Sequence, residues 1–402
     1  MSGHTMKYKK NRTCKLLVFL GFFFASCALS ATTIPQSSST IPVNIPSPPN
    51  INAKAYIVID AHSNKIIAEK NSNKRFPPAS LTKMMSLYVI SNALKSGQIS
   101  LDEKVRISKS AWKTSGSRMF VKEGQQVSVK DLLKGIIVDS GNDACVAMAE
   151  YLGGSEEGFT ELMNQQAEHL GMKDSHFTDS TGLPNKNLYT TAYDMAILGQ
   201  ALERDFPEYY HWYKQKWFTF NGIRQPNRNR LLWRDSDVDG IKTGHTNEAG
   251  YCLVASAKKN DMRLITVLLG SPSESIRADD SQKLLNYGFR FYETHLLYKA
   301  GKKITELPVY RGNETSISVG LMGDQYVTIP SGQYQHLNVS SKVPRYIKAP
   351  VKKGQEVGEL VIAFNEKEIS RKPLFALNTV EEGGFFKRTF DSVKLTIKDW
   401  FG

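Results

Sequence analysis

The chain has 402 residues, of which 41% are hydrophobic and 23% charged, and its formal net charge is +13. This length exceeds one typical domain and favours two domains with additional tails. The positive charge is spread along the chain, without zinc-finger spacing or a continuous basic block, which argues against nucleic acid as a partner. A weak attraction to anionic membrane is the better explanation of that charge.

The first 31 residues have the pattern of a secretory signal. Five basic residues precede a 14-residue apolar run, 16–29, and small residues follow it. Because a membrane-spanning helix needs about 20 apolar residues, the pattern predicts a cleaved signal, cut within 28–31, rather than an anchor. A lipoprotein site at Cys27 is the less favoured alternative. The sequence therefore predicts an exported protein.

Two of the four cysteines, Cys145 and Cys252, lie outside the predicted signal. Each lies in an apolar stretch, so both are predicted to be buried free thiols, with a disulfide between them as the alternative. Residues 32–52 hold five prolines among serine, threonine and asparagine, a composition that predicts an extended leader.

The segment around Ser80 predicts a nucleophile. Pro77 and Pro78 disfavour helix just before it, and from Leu81 onwards apolar residues recur at the spacing of a buried helix face. Ser80 is therefore predicted to open a helix, on which Lys83 points to the same side. Burial lowers the pKa of a lysine, so Lys83 is able to take the Ser80 proton. On this tetrad alone, a serine N-cap beside a solvated lysine is the commoner arrangement.

Two further motifs follow in the chain, Ser140-Gly141-Asn142 and Lys242-Thr243-Gly244. The order S-x-x-K, S-x-N and K-T-G is typical of the penicillin-recognising serine enzymes, which makes a catalytic role for Ser80 and Lys83 the favoured interpretation. For Asn142, a helix cap remains the structural alternative.

The remaining elements predict a mixed fold. Alternating residues predict a hairpin at 56–60 and 65–69, just before Ser80. Apolar periodicity predicts helices at 130–138, 144–152, 161–170, 192–202 and 275–292. Three runs joined by short turns predict an antiparallel sheet with strands at 238–244, 251–257 and 263–269.

The last hundred residues differ from the rest. Short alternating runs at 315–319, 326–329, 335–339 and 358–364 predict a small all-β domain. Residues 384–402 predict a basic amphipathic helix lying on a membrane surface, with docking on the β domain as the alternative. The apolar residues of this helix are Phe386, Phe390, Val393, Ile397, Trp400 and Phe401.

From residue 53 to the end, the sequence resembles the low-molecular-mass penicillin-binding proteins, specifically the D-alanyl-D-alanine carboxypeptidases of the penicillin-binding protein five and six group. Beyond the three motifs, the resemblance rests on Phe220-Asn221-Gly222-Ile223-Arg224-Gln225 and Val238-Asp239-Gly240-Ile241-Lys242-Thr243-Gly244-His245-Thr246.

This resemblance implies an α/β (α+β) fold class. It comprises a penicillin-binding/β-lactamase-like domain at 53–298 with an antiparallel sheet flanked by helices, a small all-β domain at 299–383 and an amphipathic anchoring helix at 384–402. The implied location is the periplasmic face of the cytoplasmic membrane.

The resemblance also implies the reaction. Ser80 attacks the carbonyl between two D-alanines, the terminal D-alanine leaves, and water hydrolyses the acyl-enzyme. Lys83 is the implied general base, and Ser140 relays the proton to the leaving amine. Asn142 is expected to donate to a peptide carbonyl and to hold Lys83 in place.

The third motif is assigned to substrate binding in the same way. Lys242 is expected to stay cationic, to help keep Lys83 neutral and, with Thr243, to bind the substrate carboxylate. Arg228 matches a family arginine near that carboxylate. The oxyanion hole is expected at the backbone N–H groups of Ser80 and His245, and Gly244 is expected to leave room for substrate.

The implied partners are peptidoglycan stem peptides and, as covalent inhibitors, β-lactam antibiotics. No cofactor is predicted, and the eight histidines are too scattered to predict a metal site. Two alternatives stay open: a β-lactamase of the same architecture, and a catalytically silent peptidoglycan-binding or scaffold protein.

Overall fold

A five-stranded antiparallel sheet organises the first part of the protein. The computed structural model describes residues 45–401, with side chains up to Thr396, so the predicted signal and the leader up to residue 44 lie outside the described residues. The strands of this part are β1 (Ala55–Asp60), β2 (Ile66–Lys70), β3 (Lys104–Arg106), β4 (Gln126–Ser128), β5 (Trp217–Phe220), β6 (Ile223–Pro226), β7 (Val238–Thr246), β8 (Gly250–Lys259) and β9 (Met262–Ser271).

The order of the main sheet is β2-β1-β9-β8-β7, while β3–β4 and β5–β6 form separate two-stranded pairs. The three predicted strands and the predicted hairpin are therefore confirmed, but they form one sheet, because β1 pairs with β9 along its whole length. Side chains alternate across that sheet. Ile57 packs in the core on one face, with the helix that follows Ser80, whereas Val58 packs in the core on the other.

Helices cover both faces of the sheet and begin at polar caps. The N-cap of α6 is Thr191 and that of α9 is Ser273, and each side chain accepts a backbone N–H. All five predicted helices are confirmed, with ends shifted by several residues. The helices of this part are α1 (Thr82–Lys95), α2 (Lys109–Lys113), α3 (Val129–Lys134), α4 (Asn142–Gly153), α5 (Glu156–His169), α6 (Ala192–Asp205), α7 (Pro207–Tyr210), α8 (Leu231–Arg234) and α9 (Glu274–Phe291).

The described end of the leader, 45–52, has no regular secondary structure, as predicted. It nevertheless packs against α9, because the Asn52 backbone N–H donates to Asp280 at 2.7 Å and the Tyr287 hydroxyl donates to the Pro46 carbonyl at 2.9 Å. The prediction of two buried free thiols at Cys145 and Cys252 is also confirmed.

The second part is rich in β-structure, as predicted, but holds eight strands rather than four. Six of them form a sheet of order β14-β16-β17-β12-β11-β15, and β10 pairs with β13. The strands are β10 (Tyr292–Tyr298), β11 (Lys303–Tyr310), β12 (Ser316–Gly320), β13 (Gln325–Pro330), β14 (Leu337–Lys342), β15 (Ile347–Lys348), β16 (Glu356–Phe364) and β17 (Lys367–Ala376). The pattern missed β17 because six of its ten side chains are exposed and four are charged, which hides the apolar alternation.

The predicted terminal helix is present as α10 (Phe385–Phe401). It docks on the β-rich part through polar groups, since the Arg311 backbone N–H donates to Asp391 at 2.6 Å and the Arg311 Nε donates to Ser392 at 3.0 Å. The opposite side is exposed, and Phe386 keeps 88% of its surface accessible. Within residues 45–401, no helix has the length and apolar character needed to cross a membrane.

Candidate active site

The predicted nucleophile lies in a tight turn between the sheet and α1. Ser80 occupies a 3-10 turn, Ala79–Leu81, and the α-helix begins only at Thr82, which corrects the prediction that Ser80 opens the helix itself. The turn is closely covered by Gly182, where a Cβ atom would overlap the Ala79 carbonyl oxygen. Because Gly182 also has a φ of +88°, glycine is required on both grounds.

Lys83 is fully buried on the first turn of α1. Its Nζ lies 3.0 Å from Ser80 Oγ and donates at 2.7 Å to the Thr181 carbonyl oxygen. Burial lowers the pKa of Lys83 to about 8, and the positive charge of Arg228 acts in the same direction. A neutral amine is thus accessible near neutral pH within hydrogen-bond reach of the serine hydroxyl.

Ser140 and Lys242 form a second hydroxyl–amine pair. Ser140 follows a one-turn π-helix, Gly135–Asp139, in a left-handed conformation that turns the chain into α4. The Lys242 Nζ, on β7, donates to Ser140 Oγ at 2.9 Å and to the Thr243 carbonyl at 3.0 Å. Two motifs that lie about a hundred residues apart in sequence therefore meet through one hydrogen bond.

Asn142 has a different partner from the one predicted. Its Nδ2 donates to the Ser115 carbonyl at 2.6 Å, and its backbone N–H donates to the Ser117 carbonyl at 2.7 Å. The side chain therefore holds the 115–117 loop rather than Lys83. Its Oδ1 is buried and has no partner among the described residues. The capping alternative is also wrong, because Asn142 is the first residue of α4 and Gly141 is its N-cap.

The sequence analysis overlooked Asp143, which organises the same loop. Its buried carboxylate accepts the backbone N–H groups of Met119, Phe120 and Val121 at 2.9, 2.9 and 3.2 Å. Three such bonds fix the loop that carries Ser117 beside the second motif. The only sequence signal was an acidic residue directly after S-x-N.

The electrostatic prediction for Lys242 is corrected. The side chain is 2% exposed, and burial, together with the positive charges of Lys83, Arg228 and Arg277, lowers its pKa well below the usual range. Burial therefore disfavours the cationic form of Lys242, and a bound anion would favour it. The lowered pKa of Lys83 has burial as its largest cause, followed by Arg228 among the groups that lower it, so a permanent charge on Lys242 is not needed to explain it.

Gly244 lies against the nucleophile turn. A Cβ atom there would come within 2.9 Å of the Pro78 carbonyl and 3.2 Å of the Ser80 backbone nitrogen. Gly244 is therefore required because the nucleophile turn packs directly against it. The prediction had instead explained this glycine by the room it leaves for substrate. His245 follows on the exposed end of β7, and its ring lies 4.0 Å from that of Tyr251.

These groups surround a surface cavity of about 330 Å³. Its lining comprises Ser80, Ser117, Ser140, Arg228, Thr243, Gly244, His245, Tyr251, Glu274 and Arg277. The structure thus brings the predicted residues together, with Lys83, Asn142 and Lys242 buried behind the lining. Ser117, Tyr251, Glu274 and Arg277 were missed, because no pattern links them to the motifs.

A second, larger cavity lies elsewhere in the molecule. This cavity of about 640 Å³ lies between the β1–β2 turn and the β-rich part, away from Ser80, and its lining includes Lys65, Tyr326 and Ile369. Across residues 45–401, no three histidine, cysteine, aspartate or glutamate side chains are grouped to hold a metal ion.

A half-buried serine beside a buried lysine, with a second serine–lysine pair at the same cavity, defines a serine enzyme of the Ser-x-x-Lys type. Residues 42–273 match the D-alanyl-D-alanine carboxypeptidase family, and residues 292–382 match the penicillin-binding protein 5 C-terminal domain. The chain belongs to the D-alanyl-D-alanine carboxypeptidase family.

Individual relatives agree with this assignment. The chain is 46% identical over 362 residues to the D-alanyl-D-alanine carboxypeptidase DacC of Escherichia coli, covering 88% of this chain and 90% of that protein. Its fold matches penicillin-binding protein 5 of Haemophilus influenzae with a TM-score of 0.80 and 44% identity, over 84% of this chain and all of that one. A more distant match, with a TM-score of 0.56 and 28% identity over 61% of this chain and all of the other, is ampicillin-bound penicillin-binding protein D2 of Listeria monocytogenes.

Proposed function

We propose that this protein removes the terminal D-alanine from peptidoglycan stem peptides through an acyl-enzyme on Ser80. The observation that carries the proposal is the fully buried Lys83, whose amine lies 3.0 Å from the Ser80 hydroxyl at the wall of the substrate-sized cavity. A buried amine with a lowered pKa is the base that a serine nucleophile needs.

In the acylation step, neutral Lys83 takes the Ser80 proton while Oγ forms a bond to the carbonyl carbon between the two D-alanines. The carbonyl oxygen becomes an oxyanion, held by the backbone N–H groups of Ser80 and His245. The close approach of Gly244 to the nucleophile turn supports this pair, because a Cβ atom added at Gly244 would come within 3.2 Å of the Ser80 nitrogen.

The intermediate then collapses, and the bond to the terminal D-alanine breaks. The leaving amine takes a proton from Ser140, whose hydroxyl is replenished from the Lys242 ammonium with which it is hydrogen-bonded. The proton that Lys83 took from Ser80 then passes to Lys242, which makes Lys83 neutral again and restores the Lys242 ammonium. In the second half-reaction, neutral Lys83 deprotonates a water molecule that attacks the ester, and the proton it gains goes to the departing Ser80 oxygen. Ser80 regains its proton as the shortened peptide departs.

The substrate carboxylate binds to Lys242, Thr243 and Arg228. An anion at this position compensates the charge that burial makes unfavourable, so substrate binding raises the pKa of Lys242 and loads it with the proton that the leaving amine needs. Asn142 acts through the 115–117 loop, which it holds by donating to the Ser115 carbonyl, so that Ser117 lines the cavity.

β-Lactams acylate the same serine, because their strained amide occupies the position of the D-alanyl-D-alanine bond. The ampicillin-bound relative supports this part of the proposal. Turnover of a β-lactam well beyond one equivalent per protein would instead favour the β-lactamase alternative.

The protein is exported and attaches to the membrane surface through α10. The side of α10 that docks on the β-rich part makes polar contacts and buries Leu395, whereas Phe385, Phe386 and Phe390 are exposed. Exposed aromatic side chains beside basic residues suit the headgroup and acyl boundary of a bilayer. Deleting 384–402 is expected to release the protein from vesicles while keeping its activity on soluble peptides; vesicle binding by the shortened chain would place the attachment elsewhere.

The main test is the release of D-alanine from a soluble peptide ending in D-Ala-D-Ala, comparing the mature chain with its Ser80→Ala variant. We expect release by the first and none by the second. If both fold but neither releases D-alanine, the proposal fails and the binding or scaffold alternative replaces it.

A further inference from the structure

The β5–β6 hairpin presents an exposed face that the proposed reaction does not use. Cross-strand pairing places Trp217 opposite Pro226 and Thr219 opposite Arg224, so these four side chains share one face of the hairpin. Phe218, which points the other way, is buried. Trp217 is 42% exposed, and the Arg224 guanidinium lies over its ring at 4.4 Å.

Trp233, on α8, extends this face. Its ring centroid lies 6.0 Å from that of Trp217 in an edge-on arrangement, and it is also 42% exposed. We call Trp217, Arg224 and Trp233 the aromatic platform. Contiguous exposed aromatic surface on a soluble protein marks an interaction site, because leaving it in water is unfavourable.

The hairpin that carries the platform is attached to a loop at the substrate cavity. The Asn221 side chain donates to the Phe120 carbonyl at 3.0 Å, and Gln225 donates to the Arg118 carbonyl at 2.9 Å, which ties the hairpin to the loop that carries Ser117. Arg228, two residues beyond the end of β6, lines the cavity.

The chain limits how far apart the two sites lie. Trp233 follows Arg228 by five residues, and five residues span at most about 18 Å. Arg228 lines the cavity itself, so the platform lies within one short segment of the site where the peptide is cleaved.

We propose that the aromatic platform binds an N-acetylated amino sugar of the glycan strand whose stem peptide occupies the Ser80 cavity. The proposal rests on the proposed function. In a pentapeptide stem, four residues lie between the sugar and the scissile bond and span about 14 Å when extended, which is within the limit of about 18 Å between Arg228 and Trp233. An indole offers an apolar ring for the C–H face of a sugar, while Arg224 and Thr219 offer donors for its hydroxyl and acetyl oxygens.

The test compares two substrates: a free peptide ending in D-Ala-D-Ala, and the same peptide on its N-acetylated disaccharide. We expect the wild-type chain to cleave the glycopeptide with the higher kcat/KM. In Trp217→Ala, kcat/KM for the glycopeptide should fall about five- to tenfold, the size of one aromatic contact, while that for the free peptide stays within twofold. Trp217→Phe should restore most of the difference.

The matched control is Tyr334→Ala, which removes an exposed aromatic ring from the β-rich part and should leave both substrates unaffected. Equal losses on both substrates in Trp217→Ala would mean a structural role and would overturn the inference. If Trp217→Ala kept the full preference for the glycopeptide, the inference would also be overturned. The same holds if Trp217 is needed for binding to vesicles and not for binding to the sugar.

Failure of the proposed function is recognised separately, because the wild-type chain would then release D-alanine from neither substrate. Binding of the free disaccharide, followed by tryptophan fluorescence, decides the inference in that case. Saturable quenching that Trp217→Ala abolishes supports the platform, and its absence in the wild-type chain refutes it.

Discussion

The surroundings of the Ser80 cavity and the β-rich part differ in how they accommodate positive charge. Around the cavity, Lys83 and Lys242 are buried, and their described hydrogen-bond partners are hydroxyl and carbonyl oxygens. In the β-rich part, Arg371 is exposed and forms ion pairs with Glu359 and Glu368 at 2.7 and 2.9 Å. Exposed pairs contribute little to stability, whereas a buried ammonium without a carboxylate opposes folding.

The difference shows where the fold carries reactivity. A lysine whose charged form is unfavourable is available as a base near neutral pH. Among the described residues, the lysines with a lowered pKa are Lys83 and Lys242, and both lie in the first part. The β-rich part has an apolar core, in which Ile317, Ile362 and Leu374 are fully buried. Its described residues therefore form an apolar core and exposed ion pairs, without a buried lysine of the kind found at the cavity.

The largest expected effect comes from Lys83→Met. The substitution removes the base and keeps most of the side-chain volume, so kcat for D-alanine release should fall about 10³- to 10⁴-fold. The melting temperature should rise, because an apolar side chain replaces a buried amine. Steady-state kinetics and thermal unfolding on the same sample measure both effects.

Lys367→Met makes the same chemical change at an exposed position of β17 and serves as the control. It should leave both activity and melting temperature unchanged. Substantial activity in Lys83→Met would show that another group deprotonates Ser80. The burial of Lys83 would then not explain the reactivity of the site.

The converse effect is expected from Ile362→Ala in the core of the β-rich part. The cavity left by the removed atoms should lower the free energy of unfolding of that part by about 3 kcal/mol. Turnover of a soluble peptide below the unfolding temperature should not change, because the residue lies in a separate core from the one around α1. A parallel loss of kcat would indicate that the two parts are coupled.

Contacts between residues that are close in sequence could be predicted for the active site, whereas contacts between distant segments could not. The spacing of Ser80 and Lys83 was sufficient to predict their meeting, since the geometry of one helical turn is local. The partner of Lys83 at Thr181 is 98 residues away and is a backbone carbonyl, a group that every residue has, so no pattern marks it.

The errors have the same physical origin. Asn142 was predicted to reach Lys83, but the choice between Lys83 and Ser115 depends on how a distant loop packs. The pKa of Lys242 is lowered mainly by burial and then by neighbouring positive charges, among them Arg277, which approaches from α9 and carries no motif. Composition could predict a β-rich second part but not β17, whose exposed charges hide its alternation.

Asp139 provides a test of intermediate size. It is 2% exposed, and burial raises its pKa to about 7. Because this pKa exceeds the unfolded value of about 3.9, the folded state holds the proton more tightly, so its contribution to stability is complete at low pH and is lost as pH rises from about 4 to 7. Asp139→Asn avoids that loss.

The stability advantage of Asp139→Asn over the wild-type chain should therefore grow between pH 4 and pH 8 by about 3 to 4 kcal/mol, the linkage energy of a pKa that burial raises from about 3.9 to about 7 although the charge of Arg228 opposes the rise. Denaturant unfolding at the two pH values measures it. An equal difference at both values would contradict the assignment of a buried, protonated carboxyl beside Ser140.

The smallest expected effect is the pH dependence of the wild-type chain. Only neutral Lys83 accepts the Ser80 proton, so kcat/KM on a soluble peptide should rise about tenfold from pH 7 to pH 9, with an apparent pKa of about 8. Because Lys83 and Lys242 interact, that value belongs to the pair, and the rate of acylation by benzylpenicillin should rise over the same pH range.

Arg228→Gln should move this rising limb of the pH profile to higher pH, since Arg228 lowers the pKa of Lys83. A limb that stays in place would mean that burial alone determines the reactivity of the site, and that the arginine acts only on the substrate carboxylate.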